Sequence, residues 1–470
     1  MAKWNLIQRS LVLSSFGRLD AEYYHPTNLQ AYTKVVNHNH TFVRDIAKEG
    51  YRVVYENTKL IPQTLATLDM PLFVQATNIN AADGEIEFAS CGCTVASDWD
   101  NYPKGRIKRG ELLIEVKGQA EKVTIVPDYA PENALISGSL FKLEVDEQKI
   151  SPWFVYIYFC TKYGRTLRDR VKTNTLIGFV SKPQLYAIPI VVPKANFQAE
   201  IEKMVKDSFL QRRKSRELYS FACSLLASAL KINELKFNRP LSYTTKFSDV
   251  LHARRADAEY YQPKYDDLFE RIESFENSRL RDIVNIKKSI EPGSDAYQVA
   301  GIPFVRISDI SKFGITPPEI HLDRMAYYSE NLTPKKDTIL LSKDGSVGIA
   351  YKVEEDLDVI TSGALLHLTI TDDNFLPDYL TLVLNSIIVK LQAERDAGGS
   401  IIQHWKPSEI ENVIVPKLPM SIQKQIAAKV QESFTLRKES KRLLDLAKHA
   451  VEVAIEQGED AAMKLLNSSI

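Results

Sequence analysis

The chain has few cysteines, and their arrangement excludes two classes of small domain. Only four of its 470 residues are cysteine. Cys91 and Cys93 are too close together for the usual zinc-ligand spacing, and no cluster of histidines accompanies them. A zinc module and a disulfide-stabilised scaffold are therefore excluded. We expect free thiols in a reducing compartment.

The chain also lacks an excess of either charge and any long hydrophobic run. Lysine and arginine number 60, as do aspartate and glutamate, which argues against a surface that is basic throughout. A local basic cleft remains compatible with this balance. No stretch approaches the roughly 20 apolar residues of a membrane span, and the apolar stretch at 11–13 is too short for a signal peptide. We predict a cytoplasmic protein that does not bind membranes.

Several short enzyme motifs are missing as well. The sequence has no Asn/Asp-Pro-Pro-Tyr/Phe tetrapeptide and no F-x-G-x-G loop of a methyltransferase, and no glycine-rich phosphate loop. Glu115-Val116-Lys117 does match half of a magnesium-dependent nuclease core, with Asp100 upstream as a further acid. The matching residues of the second half of the chain, Leu341-Ser342-Lys343, contain no acid. A nuclease is therefore kept only as an alternative.

What the chain does contain is a long internal repeat. Residues 18–26 read RLDAEYYHP, and residues 255–263 read RADAEYYQP, 237 positions later. Further matches follow in the same order, at separations that fall to 223 residues: Phe73-Val74 with Phe304-Val305, Ser137-Gly138 with Ser362-Gly363, and Val192-Pro193 with Val415-Pro416. So small a drift is expected when insertions lie in loops. The chain is a tandem duplication over nearly its whole length.

Each copy shows the same order of predicted elements. A short helix carries the repeated phrase, and a helix also begins at Pro152 or Pro377. Between them, alternating and β-branched residues predict strands at 72–79, 110–118, 122–126, 140–145, 302–310, 337–345 and 364–370. Each copy ends in a long helix with one apolar stripe, from Phe197 to about Leu235 and from Ser421 to about Leu466. A helix of about 40 residues is on the order of 60 Å long, so we predict that the two helices pair antiparallel.

These patterns predict an α/β (α+β) fold made of two tandem domains joined by two long antiparallel helices, with pseudo-two-fold internal symmetry. The first domain is placed at residues 1–196 and the second at 237–420. The spacer helices are placed at 197–236 and 421–470. Arg212, Arg213 and Lys214 on the first long helix are predicted to form a solvated face, with contact to a partner or to DNA as the alternative.

Three segments of the second copy resemble a known family. They are IPFVRISDIS (302–311), ILLSKDGSVGIAYKV (339–353) and GGSIIQHWKPSEIENVIVP (398–416), followed by QKQIAAKV (423–430). These segments look like the DNA-specificity (S) subunit of type I restriction-modification systems. The likeness is less distinct in the first copy, where KGQAEKVTIV (117–126) takes the place of SKDGSVGIAYKV.

The resemblance implies that each α/β unit is a target recognition domain for one half of a split, asymmetric DNA site. It implies a non-catalytic protein without a cofactor or a metal. The expected partners are double-stranded DNA and two methyltransferase (M) subunits that dock on the long helices and carry the adenine methylation chemistry. In that family a translocating restriction (R) subunit completes the complex. The repeated DAEYY phrase is then interpreted as part of the supporting frame.

Candidate DNA contacts are polar residues in loops that follow a strand or the internal helix, since such loops present donors and acceptors to base edges and phosphates. In the first copy they are Lys117, Gln119, Lys122, Lys172, Thr173 and Asn174. In the second copy they are Arg306, Ser308, Ser342, Lys343, Asp344, Ser346, Ser400, Gln403, His404 and Lys406. The alternative for these segments is an ordinary turn or a buried loop. For the whole chain the alternative is a helical scaffold that does not bind DNA.

Overall fold

The computed structural model describes residues 7, 12, 18–56, 58–81, 83–173, 177–237, 240–398 and 403–469. The chain forms two compact units. Unit 1 contains residues 1–212 and 437–470, and unit 2 contains residues 213–436. Each unit therefore holds the strands of one copy together with a part of both long helices.

The described residues of unit 1 form a four-stranded and a three-stranded sheet, together with two pairs of short strands. The larger sheet is antiparallel, and its four strands in spatial order are Ala47–Tyr51, Leu140–Val145, Leu112–Glu115 and Val123–Ile125. The smaller sheet contains Gly92–Cys93, Leu72–Val74 and Ala134–Ile136, and its last two strands are parallel. The central strand Leu112–Glu115 is buried along its whole length, as expected for the continuous apolar run LLI at 112–114.

Unit 2 repeats this plan. Its four-stranded antiparallel sheet has the order Val284–Lys288, Leu365–Ile370, Ile339–Ser342 and Ala350–Lys352. Its three-stranded sheet contains His321–Leu322, Ile302–Val305 and Ile360–Thr361, again with the last two strands parallel. The predicted α/β class and the internal duplication are confirmed.

The shorter helices begin at residues that the sequence marks. The repeated phrase forms a short 3-10 helix, at Glu22–Tyr24 or Ala258–Tyr261, and an α-helix starts at the proline that follows it, at Pro26–Val36 or Pro263–Glu273. The single internal helix predicted in each copy is in fact two helices. They are Pro152–Cys160 and Lys162–Val171 in unit 1, and Pro377–Leu384 and Ile387–Asp396 in unit 2.

The break in the internal helix has a local cause in both units. The Thr161 hydroxyl accepts a hydrogen bond from the Gly164 amide at 3.1 Å, and the Ser386 hydroxyl accepts one from the Ile388 amide at 3.3 Å. A hydroxyl in this position satisfies an amide in the first turn of a new helix. The first helix of each pair is almost wholly buried, whereas the second carries charged residues and is only partly buried.

The two long helices are Ala195–Ala229 and Met420–Gln457, and a further helix, Glu459–Ser469, follows Gly458. Gly458 has a φ of +95°, a conformation that ends a helix at little cost only for glycine. In unit 1 the Lys194 amide donates to Glu459 at 3.1 Å, and the Ser208 hydroxyl donates to the Ser440 carbonyl at 2.7 Å. Since the partner number falls as the residue number rises, the helices are antiparallel there, as predicted.

Unit 2 shows the same helix pairing. The Ser433 hydroxyl donates to the Ser215 carbonyl at 2.7 Å, and the two hydroxyl oxygens lie 3.0 Å apart. Ser208 and Ser433 are equivalent positions of the two copies, as are Ser215 and Ser440. Each unit thus contains one buried serine pair, in which one serine occupies the Ser208/Ser433 position and the other occupies the Ser215/Ser440 position.

Arg212 does not lie on a solvated face, so that prediction is wrong for this residue. Its side chain is 6% exposed and contacts the carboxylates of Asp83 and Glu85 in unit 1, the latter at 3.0 Å. Burial disfavours the charged guanidinium, but the two carboxylates outweigh that effect and raise the pKa of Arg212. Arg213, the next residue, is half exposed and pairs with Glu217 at 2.8 Å, in line with the prediction.

The cysteines are free thiols, as expected from their spacing. Cys91 and Cys93 are buried, Cys160 is partly buried and Cys223 is exposed. Burial raises the pKa of Cys91 to about 12, so its thiol stays protonated near neutral pH. None of the helices within the described ranges is long and apolar enough to span a membrane.

Candidate nucleic-acid interface

Two segments that are far apart in the sequence meet at one edge of unit 2. We name residues 343–349 the strand loop, because they follow the strand Ile339–Ser342. We name residues 397–406 the helix loop, because they follow the helix Ile387–Asp396; residues 397, 398 and 403–406 of it are described. The Gly345 amide donates to the Gln403 carbonyl at 2.8 Å, and the Trp405 amide donates to the Lys343 carbonyl at 2.8 Å.

Asp344 connects the side chains of the two loops. Its carboxylate pairs with the Lys343 ammonium group, and His404 Nδ1 lies 2.8 Å from its other oxygen. Lys343 is 12% exposed, whereas His404 is 64% exposed. Asp344 therefore fixes the loop contact, and His404 presents a ring edge to solvent.

The other predicted residues of these loops divide into exposed and covered groups. Gln403, Lys406 and Ser346 are exposed. Ser342 is fully buried: its hydroxyl donates to the Ser346 carbonyl at 2.6 Å and accepts from the Ile349 amide at 2.8 Å. Ser342 holds the strand loop closed, so direct contact with a ligand would require that loop to open. Ser400 lies outside the described residues.

A third predicted cluster reaches the same edge. Arg306 and Ser308 follow the strand Ile302–Val305, and the Arg306 amide is capped by Asp309 at 2.8 Å. The segment 362–364 links this cluster to the strand loop: the Ser362 amide donates to the Val305 carbonyl at 2.8 Å, and the Lys343 amide donates to the Ala364 carbonyl at 2.9 Å. Unit 2 thus brings together predicted contacts from three regions of the sequence.

Unit 1 has the equivalent strand loop at residues 116–122 and the equivalent helix loop at 172–179, of which 172, 173 and 177–179 are described. The loops join through a short antiparallel ladder that pairs Lys117 with Phe179 and Gly118 with Gly178. Thr173 and Phe179 exchange two backbone hydrogen bonds of 2.8 and 2.9 Å. Asn174 lies outside the described residues.

The predicted side chains of unit 1 are likewise partly exposed and partly engaged. Lys117 and Gln119 are exposed. Lys122 is half-buried, and its ammonium group donates to the Ala76 carbonyl at 2.9 Å. Lys172 pairs with Asp169 at 2.6 Å. Lys117 and Gln119 therefore offer the free donors and acceptors of this loop pair.

The glutamate of the possible nuclease motif in unit 1 holds the strand loop in place. The Glu115 carboxylate accepts hydrogen bonds from the amides of Glu121 at 3.0 Å and Lys122 at 3.2 Å. It therefore folds the strand loop back on its own strand. Asp100 is 86% exposed and pairs with Arg106 at 3.1 Å. Within the described ranges, no three acidic, histidine or cysteine side chains are grouped in a way that could hold a metal ion.

Two arginines that sequence reasoning did not select contact the chain where the internal helix ends and the helix loop begins. Arg18 donates to the Lys172 carbonyl at 2.7 Å, and Arg255 donates to the Asp396 carbonyl at 2.7 Å. Both belong to the repeated phrase, which was interpreted as frame through its aspartates and tyrosines. The available signal was that the arginine recurs in both copies at the same place in the phrase.

One family model matches a part of the chain. Residues 272–443 match the family model described as type I restriction modification DNA specificity domain. No curated protein matches the chain. The predicted resemblance is confirmed for these residues, and they include every described predicted contact of the second copy.

Solved structures also resemble the chain. The type I restriction-modification S subunit from M. genitalium is 14% identical over 92% of this chain and 96% of its own, with a TM-score of 0.39. The HsdS subunit from Thermoanaerobacter tengcongensis is 14% identical over 89% of this chain and 97% of its own, with a TM-score of 0.29.

Proposed function

We propose that this chain, which carries a type I restriction-modification DNA specificity domain at residues 272–443, is a DNA sequence-specificity subunit that recognises a bipartite site with its two units. The observation that carries the proposal is the pair of joined loops in the matched domain and its repetition in unit 1 at residues 116–122 and 172–179. Duplicated loop pairs with different side chains suit a site whose halves differ in sequence.

The exposed side chains at the loop pairs have the chemistry that DNA recognition requires. Gln119 and Gln403 each carry an amide that can both donate to and accept from a base edge in the major groove. Lys117 and Lys406 supply positive charge for phosphates, which sets the register and orientation of a protein on the duplex. His404 adds a ring nitrogen at the same edge of unit 2. These side chains bind and discriminate, and none of them activates a nucleophile.

The catalytic step is assigned to partner proteins. We place two methyltransferase subunits on the long helices, where they would take the target adenine out of the duplex and transfer a methyl group from S-adenosylmethionine. A restriction subunit would add DNA cleavage to the same assembly. The compartment we propose is the cytoplasm, where the chromosome and S-adenosylmethionine are both accessible.

Mapping of methylated adenines across the genome tests the proposal. Cells that carry this gene with its neighbouring methyltransferase are compared with cells that lack only this gene. We expect a split sequence motif that disappears with the gene. An unchanged methylation pattern, together with no sequence preference in DNA binding by the purified complex, would leave the scaffold alternative.

The long helices are proposed to set the gap between the two half-sites. Insertion of one helical turn into both Ala195–Ala229 and Met420–Gln457 is expected to change the number of base pairs between the half-sites while leaving their sequences intact. The same methylation map measures both properties. Altered half-sites with an unaltered gap would contradict this role of the helices.

A further inference from the structure

The arginine that opens the repeated phrase makes the same ion pair in both units. Arg18 donates to the two carboxylate oxygens of Asp20 at 2.7 and 2.9 Å. Arg255 donates to those of Asp257 at 2.9 and 2.7 Å. A two-point contact of this kind fixes the plane of the guanidinium group, which a single contact does not.

The backbone carbonyl of the same arginine also accepts a hydrogen bond in both units. The Tyr24 hydroxyl donates to the Arg18 carbonyl at 2.9 Å, and the Tyr261 hydroxyl donates to the Arg255 carbonyl at 2.7 Å. The second tyrosine of the phrase therefore closes the segment onto its own arginine. The repeated aspartate and tyrosine thus act together to orient one guanidinium group in each unit.

The oriented guanidinium group reaches the chain just where the internal helix ends. Arg18 donates to the carbonyls of Val171 at 3.0 Å and Lys172 at 2.7 Å. Arg255 donates to the carbonyl of Asp396 at 2.7 Å. These carbonyls lie at the end of the helix and the start of the helix loop. An oriented cation at this point satisfies acceptors that the helix leaves without a partner.

A second arginine completes the arrangement through the other tyrosine of the phrase. The Tyr23 ring contacts the guanidinium groups of Arg18 at 4.5 Å and Arg170 at 4.0 Å. The Tyr260 ring contacts those of Arg255 at 4.6 Å and Arg395 at 5.0 Å. Arg170 and Arg395 are the last basic residues of the internal helices, so this contact ties the phrase to the helix end as well.

From the helix end, backbone contacts lead directly to the predicted DNA contacts. In unit 1, Lys172 precedes Thr173, which pairs with Phe179, which in turn pairs with Lys117. In unit 2, Gly398 and His404 exchange backbone hydrogen bonds of 3.1 and 2.7 Å, two residues beyond Asp396. A displacement of the carbonyl that the arginine holds would therefore be passed on to both loops.

We propose that Arg18 and Arg255 are positioning residues, which set the place of the helix loop and thereby the recognition of one DNA half-site each. The proposal rests on the proposed function, and the duplication gives it an internal comparison. The ion pair, the tyrosine hydrogen bond and the contact with the carbonyl of the last helix residue, Val171 or Asp396, occur in both units even though the helix loops differ in sequence. Arg18 alone also bonds the next carbonyl, that of Lys172. A contact set that is kept beside a variable loop is suited to orient the loop and not to recognise DNA itself.

The two arginines provide a reciprocal experiment. Methylated adenines are mapped in cells that carry the methyltransferase with the unaltered chain, with Arg18→Ala or with Arg255→Ala. We expect each variant to relax base preference in one half-site only, by on the order of tenfold at its positions, and the two variants to affect opposite half-sites. The ion pairs are partly exposed, so the unfolding midpoint is expected to fall little.

Arg324→Ala is the matched control, because Arg324 makes a two-point ion pair with Asp358 at 2.8 and 3.0 Å on the surface of unit 2, with no carbonyl of the helix loop among its contacts. It is expected to leave both half-sites unchanged. If an alanine variant gives no methylation, the lysine variant, which keeps the charge near the tyrosine ring, takes its place.

The inference would be overturned by relaxation of both half-sites by each variant, or by no relaxation by either. A general loss of methylation in both the alanine and the lysine variants would indicate a role in folding and would overturn it too. Methylation with the unaltered chain tests the proposed function separately from this inference. If the unaltered chain produces no split motif, the proposed function fails before the variants are compared.

Discussion

In unit 1 the first long helix meets the strand-rich region through buried ion pairs, whereas in unit 2 the same helix meets it through aromatic rings. Arg212 contacts Glu85 at 3.0 Å in unit 1. In unit 2, the Phe313 ring lies 5.0 Å from the Tyr219 ring and 6.0 Å from the Phe434 ring. Both contacts lie within about two turns of the serine pair of their unit. The pairing of the long helices is therefore the same in both units, whereas the side chains that contact the first long helix differ.

A second pair of equivalent positions shows the same difference. In the central strands, Lys142 of unit 1 pairs with Leu113, and His367 of unit 2 pairs with Leu340. Lys142 makes a buried ion pair with Glu111 at 3.1 Å. His367 Nε2 instead lies 2.8 Å from the Thr361 hydroxyl, and burial lowers its pKa to about 4.

The duplicated fold is thus compatible with either ionic or aromatic contacts at equivalent buried positions. Replacement of a buried ion pair by well-packed uncharged groups is often neutral for stability, but removal of one partner is costly. A duplicated chain can thus exchange ionic for aromatic contacts as a set. A single substitution within either set is expected to lower stability more when it leaves a buried charge without its partner or a larger space unfilled.

The largest effect is expected from Arg212→Ala. The substitution removes the buried cation that contacts both Asp83 and Glu85 and leaves Glu85 with the more distant Arg437 at 3.8 Å, so the free energy of unfolding of unit 1 should fall by about 3–5 kcal/mol. Denaturant titration measures the loss. Arg213→Ala is the control, since Arg213 is 52% exposed and should change stability by less than about 1 kcal/mol. Equal effects of the two substitutions would show that the ion pairs of Arg212 are not needed.

A smaller effect is expected from acidification, through His367. Its pKa is about 4 in the folded chain, against an ordinary value of 6.5, so the unfolded chain binds the proton first as pH falls. This contribution to stability is complete above pH 6.5 and is lost progressively down to pH 4. Between pH 7 and pH 5 the loss is on the order of 2 kcal/mol.

Comparison with His367→Gln isolates this pH dependence, because glutamine keeps a hydrogen-bonding group but does not titrate. Unfolding at pH 7 and pH 5 is measured for both chains. The two chains should differ in the change with pH, whatever their stability at pH 7. The same pH dependence in both would rule out His367 as its source.

Phe313→Leu should have a smaller effect still. The leucine keeps apolar bulk but removes the edge-to-face contact with Tyr219 and the tilted contact with Phe434, which are worth about 1 kcal/mol. The Lys312 ammonium group also lies 5.0 Å from the centre of the Phe313 ring, and the leucine removes this contact too. Phe247→Leu is the control, since Phe247 is 73% exposed and should leave stability unchanged. Equal stability of the Phe313→Leu chain and the unaltered chain would contradict the aromatic explanation.

Lys117→Ala is expected to leave the fold unchanged, and it tests DNA binding instead. If Lys117 contacts a phosphate, the slope of the logarithm of affinity against the logarithm of salt concentration should decrease in magnitude by about 1. Lys406→Ala makes the same test in unit 2, and Lys343→Ala tests the covered lysine. Lys48→Ala is the control: Lys48 is exposed in unit 1 and pairs with Glu144. An unchanged slope would remove Lys117 from the interface.

Much of the fold could be predicted because its signals are local and occur twice. The strands at 140–145 and 364–370, the long helices and the duplication follow from periodicity and repetition. The break at Thr161 and Ser386 was not predicted, because a hydroxyl that caps a new helix has the same residue type as any other threonine or serine. The burial of Arg212 was missed for another reason: the carboxylates that hold it lie over 120 residues away in the sequence.

The candidate site shows the same limit. Loops with polar residues at the end of a strand or helix could be selected from sequence, and the structure joins them in each unit. That Lys343 is covered by Asp344 while Lys117 is exposed depends on the neighbouring loop, which composition does not reveal. Arg18 and Arg255 recur in the repeated phrase, but their role was missed because the groups that they contact at the helix end are backbone carbonyls, which no residue type marks.

The division of the chain into units has a consequence for its biosynthesis. Unit 2 is a single stretch, residues 213–436, and can fold as soon as that stretch has left the ribosome. Unit 1 is assembled from residues on both sides of that stretch, and its core includes Leu444, Val451 and Leu466. Its apolar surface must therefore stay open while the whole of unit 2 is being translated. Unit 1 thus starts to be synthesised before unit 2 but is completed after it.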